Sequence, residues 1–169
     1  AYEQTSGTSM ATPQMSGISA IVLQCVQSDP LFALMSVREK VDVVQNLIMG
    51  TARPLTDAAQ DSGVLYSPRK QGSGLVDALA ATTSSVYPTV GGAPEVSRPK
   101  ADLGDGTKGW HFDVVLHNLS DAEATYELSS QALSEIVDGG FFTEHSLDWR
   151  GRGVAVSYSG AASGAGEGA

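Results

Sequence analysis

Gly7-Thr8-Ser9-Met10-Ala11-Thr12-Pro13 is the stretch on which the reading of this chain turns. It sets a hydroxyl, that of Ser9, at the opening of a helix. Gly7 permits a tight backbone approach, and Pro13, taken as part of the first turn, lacks an N–H that no ladder bond needs there. Backbone N–H groups from Ser9 onward then face outward with the positive end of the helix dipole behind them, a geometry suited to an oxyanion. That is half of an acyl-transfer site. The plainer reading of the same residues is that Thr8 or Ser9 is an N-cap and nothing more.

The wider string separates the two readings. Gly7 to Pro13 resembles the nucleophile signature of the subtilisin-like serine peptidases, and Gln14-Met15-Ser16-Gly17 is similar to the small-residue helix that follows it. The resemblance implies that Ser9 is the nucleophile and that its backbone N–H contributes to the oxyanion hole. Gln14 departs from the His that many members place after the Pro, but that position lies outside the triad. The fold implied is α/β, these helices being the C-terminal ones of an incomplete three-layer α/β/α domain.

Beyond the motif, Met15, Ile18, Val22 and Cys25 recur at helical spacing, and Ile21, Leu23 and Val26 widen the stripe. A helix over about Thr12 to Gln27, buried nearly all round, is expected, with Cys25 as a small buried hydrophobe. A cysteine nucleophile is the remote alternative. Ser28-Asp29-Pro30 ends the helix. Ser36-Val37-Arg38-Glu39 is a capping box opening a second helix. Its apolar face is Val37, Val41, Val44 and Ile48, and Gly50 is its stop. Residues 53–70 read as a loop.

Gly72-Ser73-Gly74 lacks the third glycine and the preceding strand of a phosphate loop. It is similar to a Gly-x-Gly stretch near the end of subtilase catalytic domains, where glycines allow close packing. Asp77 caps a short helix through Ala81. It is not the triad acid, because in the family that acid precedes the serine.

Residues 83–99 read as a linker after a subtilase segment over 1–82. Trp110, Phe112, Val114 and Leu116 then alternate with polar or smaller residues, as do Ala124, Tyr126 and Leu128 beyond the turn at Asn118-Leu119-Ser120-Asp121. This predicts a hairpin, with one more strand at Val154, Val156 and Tyr158 and a short one near Leu103. Residues 100–158 resemble the fibronectin-III-like β-sandwich of the lactocepin and C5a-peptidase branch, truncated, since seven strands need about 100 residues. The Gly/Ala/Ser tail, 159–169, has too little apolar bulk to pack.

Composition bounds the partners. A net charge of −9, from 10 basic and 19 acidic residues, argues against nucleic acid or an anionic membrane surface, and no run is long enough to span a membrane. A single cysteine excludes an internal disulfide. His111 and His117 share a polar strand face without a metal pattern and read as solvated, and His145 has no neighbouring pattern of a general base. No cofactor is expected. Structural calcium belongs to some subtilases, but Asp57, Asp61, Asp102 and Asp105 are too scattered to claim a site.

The chain has 169 residues, begins with Ala1 and meets the nucleophile motif at once, so it is expected to be an internal piece of a larger extracellular or cell-surface endopeptidase. Its partners would be a peptide or protein substrate and the remainder of the parent peptidase domain. In the family, the histidine, aspartate and oxyanion asparagine lie upstream of the serine, so the chain alone is expected to be inactive. Two other readings stand beside this one. The chain could be a non-enzymatic binding or spacer module built on the β-sandwich, or an unrelated α+β protein in which the motif is coincidental.

Overall fold

The apolar run after the motif winds into helix α1, Thr8–Ser28, which starts four residues ahead of the expected Thr12. Gly7 makes the early start possible: its φ of 135° is a backbone conformation that residues with a Cβ rarely adopt, and its carbonyl accepts from Met10 and Ala11 N–H, both at 3.1 Å. Pro13 therefore lies inside the helix, not in its first turn, and Ser9 O loses the donor that a non-proline at position 13 would supply. Asp29, held extended before Pro30, ends α1. Its carboxylate accepts from Leu31 N–H at 2.9 Å and opens the 3-10 turn Pro30–Phe32.

The computed structural model describes residues 5–60, 63–91, 98–101, 103, 104 and 109–160. The chain divides into two compact units, Ala1–Leu55 with Gln71–Tyr126 and Thr56–Lys70 with Glu127–Ala169.

In the first unit, α2 spans Val37–Gly50 behind the expected capping box. Ser36 N–H donates to Glu39 Oε2 at 2.7 Å, and Glu39 N–H to Ser36 Oγ at 3.3 Å. The Ser36 hydrogen bonds hold the Glu39 carboxyl below the usual carboxylate range. The buried face differs from the expected one. Val43, Val44, Leu47 and Ile48 are buried, while Val37 and Val41 are exposed. α2 packs against three neighbours, α1, α4 and β1, so an arc wider than one stripe is covered. Gly50 is not a left-handed stop but the last helical residue. A Cβ there would lie 2.5 Å from Pro88 Cδ, so glycine is needed for close approach.

A short helix, α3, covers Pro68–Gln71, and α4 covers Ala78–Thr83. Asp77 caps α4 as expected, accepting from Ala80 N–H at 3.0 Å, and pairs with Arg53 Nε at 3.3 Å. Val22, Val26, Phe32, Leu47, Ala81 and Tyr87 belong to the core of this unit. The expectation of an α1 buried on every side is not met. Only Val22 and Val26 are buried, Ile21 is 53% exposed and Cys25 is exposed, because among the described elements α1 packs chiefly against the 3-10 turn, α2 and α4 and leaves its remaining sides open.

The expected linker contains a strand. β1, Val86–Val90, runs antiparallel to β2, Val114–Asn118, with Val86 opposite Asn118 and Val90 opposite Val114. The predicted hairpin between residues 110–116 and 124–129 is thus replaced. Alternation marked β2 as able to form a strand but could not name its partner, and the buried Tyr87 ring stacked on His117 at 4.6 Å fixes β1 there. Residues 124–129 form no strand.

The second unit holds β3, Leu133–Asp138, and β4, Phe141–Asp148, an antiparallel hairpin closed by Gly139 and Gly140 with φ of 55° and 84°. Asp138-Gly139-Gly140 is a hairpin signal that the sequence reading passed over. The strand expected at Val154–Tyr158 is reduced to one bridge, Arg150 with Val154. Among the described residues the four strands pair as two two-stranded sheets, and the expected truncated fibronectin-III-like sandwich is not assembled by them. Residues 92–97 of the linker and 161–169 of the tail lie outside the described residues.

Candidate active site

Ser9 sits at the second position of α1, exposed. Met10 and Ala11 N–H are the first to be spent on helix bonds, so those of Thr8 and Ser9 precede the ladder. Gly7 has no side chain to cap them, and the first turn carries no acidic residue. Among the described residues, the positive end of this 21-residue helix is met by no side-chain cap and no first-turn carboxylate beside the hydroxyl. The plainer reading fails on geometry, because Gly7 and not Thr8 or Ser9 is the N-cap. Thr8 O instead accepts from Thr12 Oγ1 at 2.8 Å.

One turn along, an open apolar groove of about 470 Å³ runs between Ala11, Gln14 and Met15 of α1, Ile48 and Met49 of α2, and Leu75. Gly74 shapes its floor. With φ of 120° and a would-be Cβ 2.3 Å from Arg53 O, only glycine lets residues 53 and 75 exchange their two 2.8 Å hydrogen bonds. Gln14, the departure from the family pattern, lines this groove.

Of the histidines, His111 is solvated as expected, whereas His117 and His145 depart from their sequence reading. His111 is exposed, 3.6 Å from Asp113. His117 is not solvated: it stacks on Tyr87, its Nε2 lies 2.9 Å from Thr89 Oγ1, and burial pushes its pKa down. His145 does have a partner, Asp57 Oδ1 at 3.2 Å. No sequence signal could have shown a pair 88 residues apart. Burial of Asp57 works against its ionisation. The N–H groups of Ser146 and Ala59, with His145, outweigh it and hold the carboxyl below its usual range. Its oxygens are occupied by these donors. Asp61, Asp102 and Asp105, named with it as calcium candidates, lie outside the described residues. Among the described residues no group of three or more metal-capable side chains is assembled, and no helix is long and apolar enough to cross a membrane.

An exposed hydroxyl at the opening of α1 thus stands near a groove whose packing glycine enforces. The Subtilase family profile matches residues 1–74. The chain belongs to the subtilisin-like peptidase family, in the branch of the C5a peptidases and the lactococcal proteinases. C5a peptidase of Streptococcus pyogenes serotype M1 is 29% identical over 141 residues, 83% of this chain and 11% of that protein. The PI-type and PII-type proteinases of Lactococcus lactis subsp. cremoris are each 31% identical over 135 residues, 76% of this chain and 7% of those proteins. The chain thus spans a small part of the length of these relatives.

Proposed function

We propose that this chain supplies the nucleophile to a secreted or cell-surface serine endopeptidase, with Ser9 attacking the scissile carbonyl and its N–H helping to hold the resulting oxyanion. A serine hydroxyl needs a base to take its proton and an acid to orient that base. In the family both precede the serine, whereas Asp57 and His145 follow it. The base, the acid and the oxyanion asparagine therefore come from a longer parent chain, and residues 1–169 alone are inactive. The remainder of that peptidase domain is the partner of the exposed side of α1 and of the groove floored by Leu75. The substrate is a peptide or protein.

The observation that carries this reading is the unbroken string Gly7 to Pro13 at an uncapped helix N-terminus with Ser9 exposed. An active-site-directed fluorophosphonate should label Ser9 stoichiometrically in the parent protein and leave the isolated chain unlabelled. Labelling elsewhere in the parent, or full labelling of the isolated chain, refutes it.

A further inference from the structure

The apolar core and the β3–β4 hairpin obey different physics. Every buried hydrophobic residue among those described, Val22 to Tyr87, belongs to the helical unit. In the second unit the buried residues are Asp57, Ser67 and Ser146, all polar. The two arms 56–60 and 63–70 are joined to the hairpin by the ion pairs of Arg69 and Lys70 with Glu135, by Arg69 over the Phe142 ring, and by side-chain-to-backbone hydrogen bonds. Asp57 Oδ2 accepts from Ser146 N–H at 2.9 Å, Ser146 Oγ accepts from Ser67 N–H at 2.7 Å, and Gln131 Oε1 accepts from Leu65 N–H at 2.9 Å. The Gln131 amide also donates to Gly63 O, and Asp57 N–H donates to Val64 O at 2.7 Å. The base of the strap is tied separately: Leu55 N–H donates to Gln71 Oε1 at 2.7 Å, and Gln71 Nε2 to Leu55 O at 3.4 Å.

We propose that the arms 56–60 and 63–70 form a strap that clasps the β3–β4 hairpin and opens from it together, with Asp57 as its latch and the helical unit left folded. The reasoning is energetic. Regions with little buried apolar surface open at low free energy, while those holding the core open only with the whole molecule. A hydrogen bond to a buried ionised group is worth more than a neutral one, and leaving its partner unsatisfied costs more again. Asp57 satisfies Ser146, Ala59 and His145 together, so closure depends on it more than on any one other side chain of the strap. Opening need not disturb the helical unit, because the Leu55–Gln71 tie pins both ends.

Residue-resolved hydrogen exchange on the whole chain tests this. In wild type, the amides of Asp57, Leu65, Ser67 and Ser146 should exchange together and at least about tenfold faster than those of Val22, Val26 and Leu47. Asp57→Asn should speed the first set a further tenfold or more and leave the second unchanged. Gln131→Ala, which removes the second tie without touching a charge, should speed the same set by a smaller factor. Equal exchange of both sets in wild type, or equal acceleration of both by either variant, would overturn the proposal, as would no response in the strap.

Discussion

Replacing Gly74 by Ala tests whether the Gly-x-Gly stretch is there for close packing. The backbone φ of 120° is one that an L side chain resists, at a cost of about 1–3 kcal/mol. The new Cβ would also stand 2.3 Å from Arg53 O. That atom is backbone, so it cannot rotate away, and the two strands must part. Parting them lengthens both the Arg53 N–H to Leu75 O and the Leu75 N–H to Arg53 O bonds, each 2.8 Å, at about 0.5–1.5 kcal/mol apiece. The sum is roughly 2–6 kcal/mol of lost stability. Gly72→Ala is the control: φ is 60° and a Cβ meets nothing within 4 Å, so only the left-handed conformation is charged, about 1–2 kcal/mol. Urea unfolding followed by far-ultraviolet circular dichroism, which reports α1 and α2, gives both values. If the two variants lose equal stability, the close approach to Arg53 is not what requires glycine, and the account of the groove floor fails.

Ser9→Ala in the parent enzyme should lower kcat by about 10⁶, the magnitude known for subtilisin itself, with little change in peptide binding; retained turnover rejects the nucleophile assignment. Cys25 is exposed, so in the native isolated chain it should react with a maleimide as fast as in urea, and protection that denaturant relieves would contradict the structure. Burial depresses the pKa of His117, so the unfolded chain takes up a proton that the folded one resists. Stability should be full above about pH 6.5 and fall as pH drops through the lowered folded value, and His117→Asn should flatten that slope in urea titrations at pH 7.5 and 5.5. An unchanged slope refutes it. Pro13→Ala restores a donor for Ser9 O and should raise the thermal midpoint, whereas a fall would mean that the proline relieves strain elsewhere.

Local chemistry is what the sequence alone determined here. The capping box at Ser36 and Glu39 and the cap at Asp77 rest on residues within a few positions of one another, and each formed as its side chains dictate. The β3–β4 turn was equally legible in Asp138-Gly139-Gly140 but was passed over. Tertiary structure decided everything that needed a distant partner. Alternation showed that Val114 to Leu116 could be a strand, but only the Tyr87–His117 stack and the approach of Pro88 to Gly50 chose β1 over residues 124–129. Periodicity marked α1 as apolar on several sides, yet burial depends on which elements lie against a helix, and that left Ile21 and Cys25 in solvent. The pairing of Asp57 with His145 joins the two ends of a long excursion, and a contact of that kind has no local signature, because hydrogen-bond geometry is set by the path of the chain and not by its order.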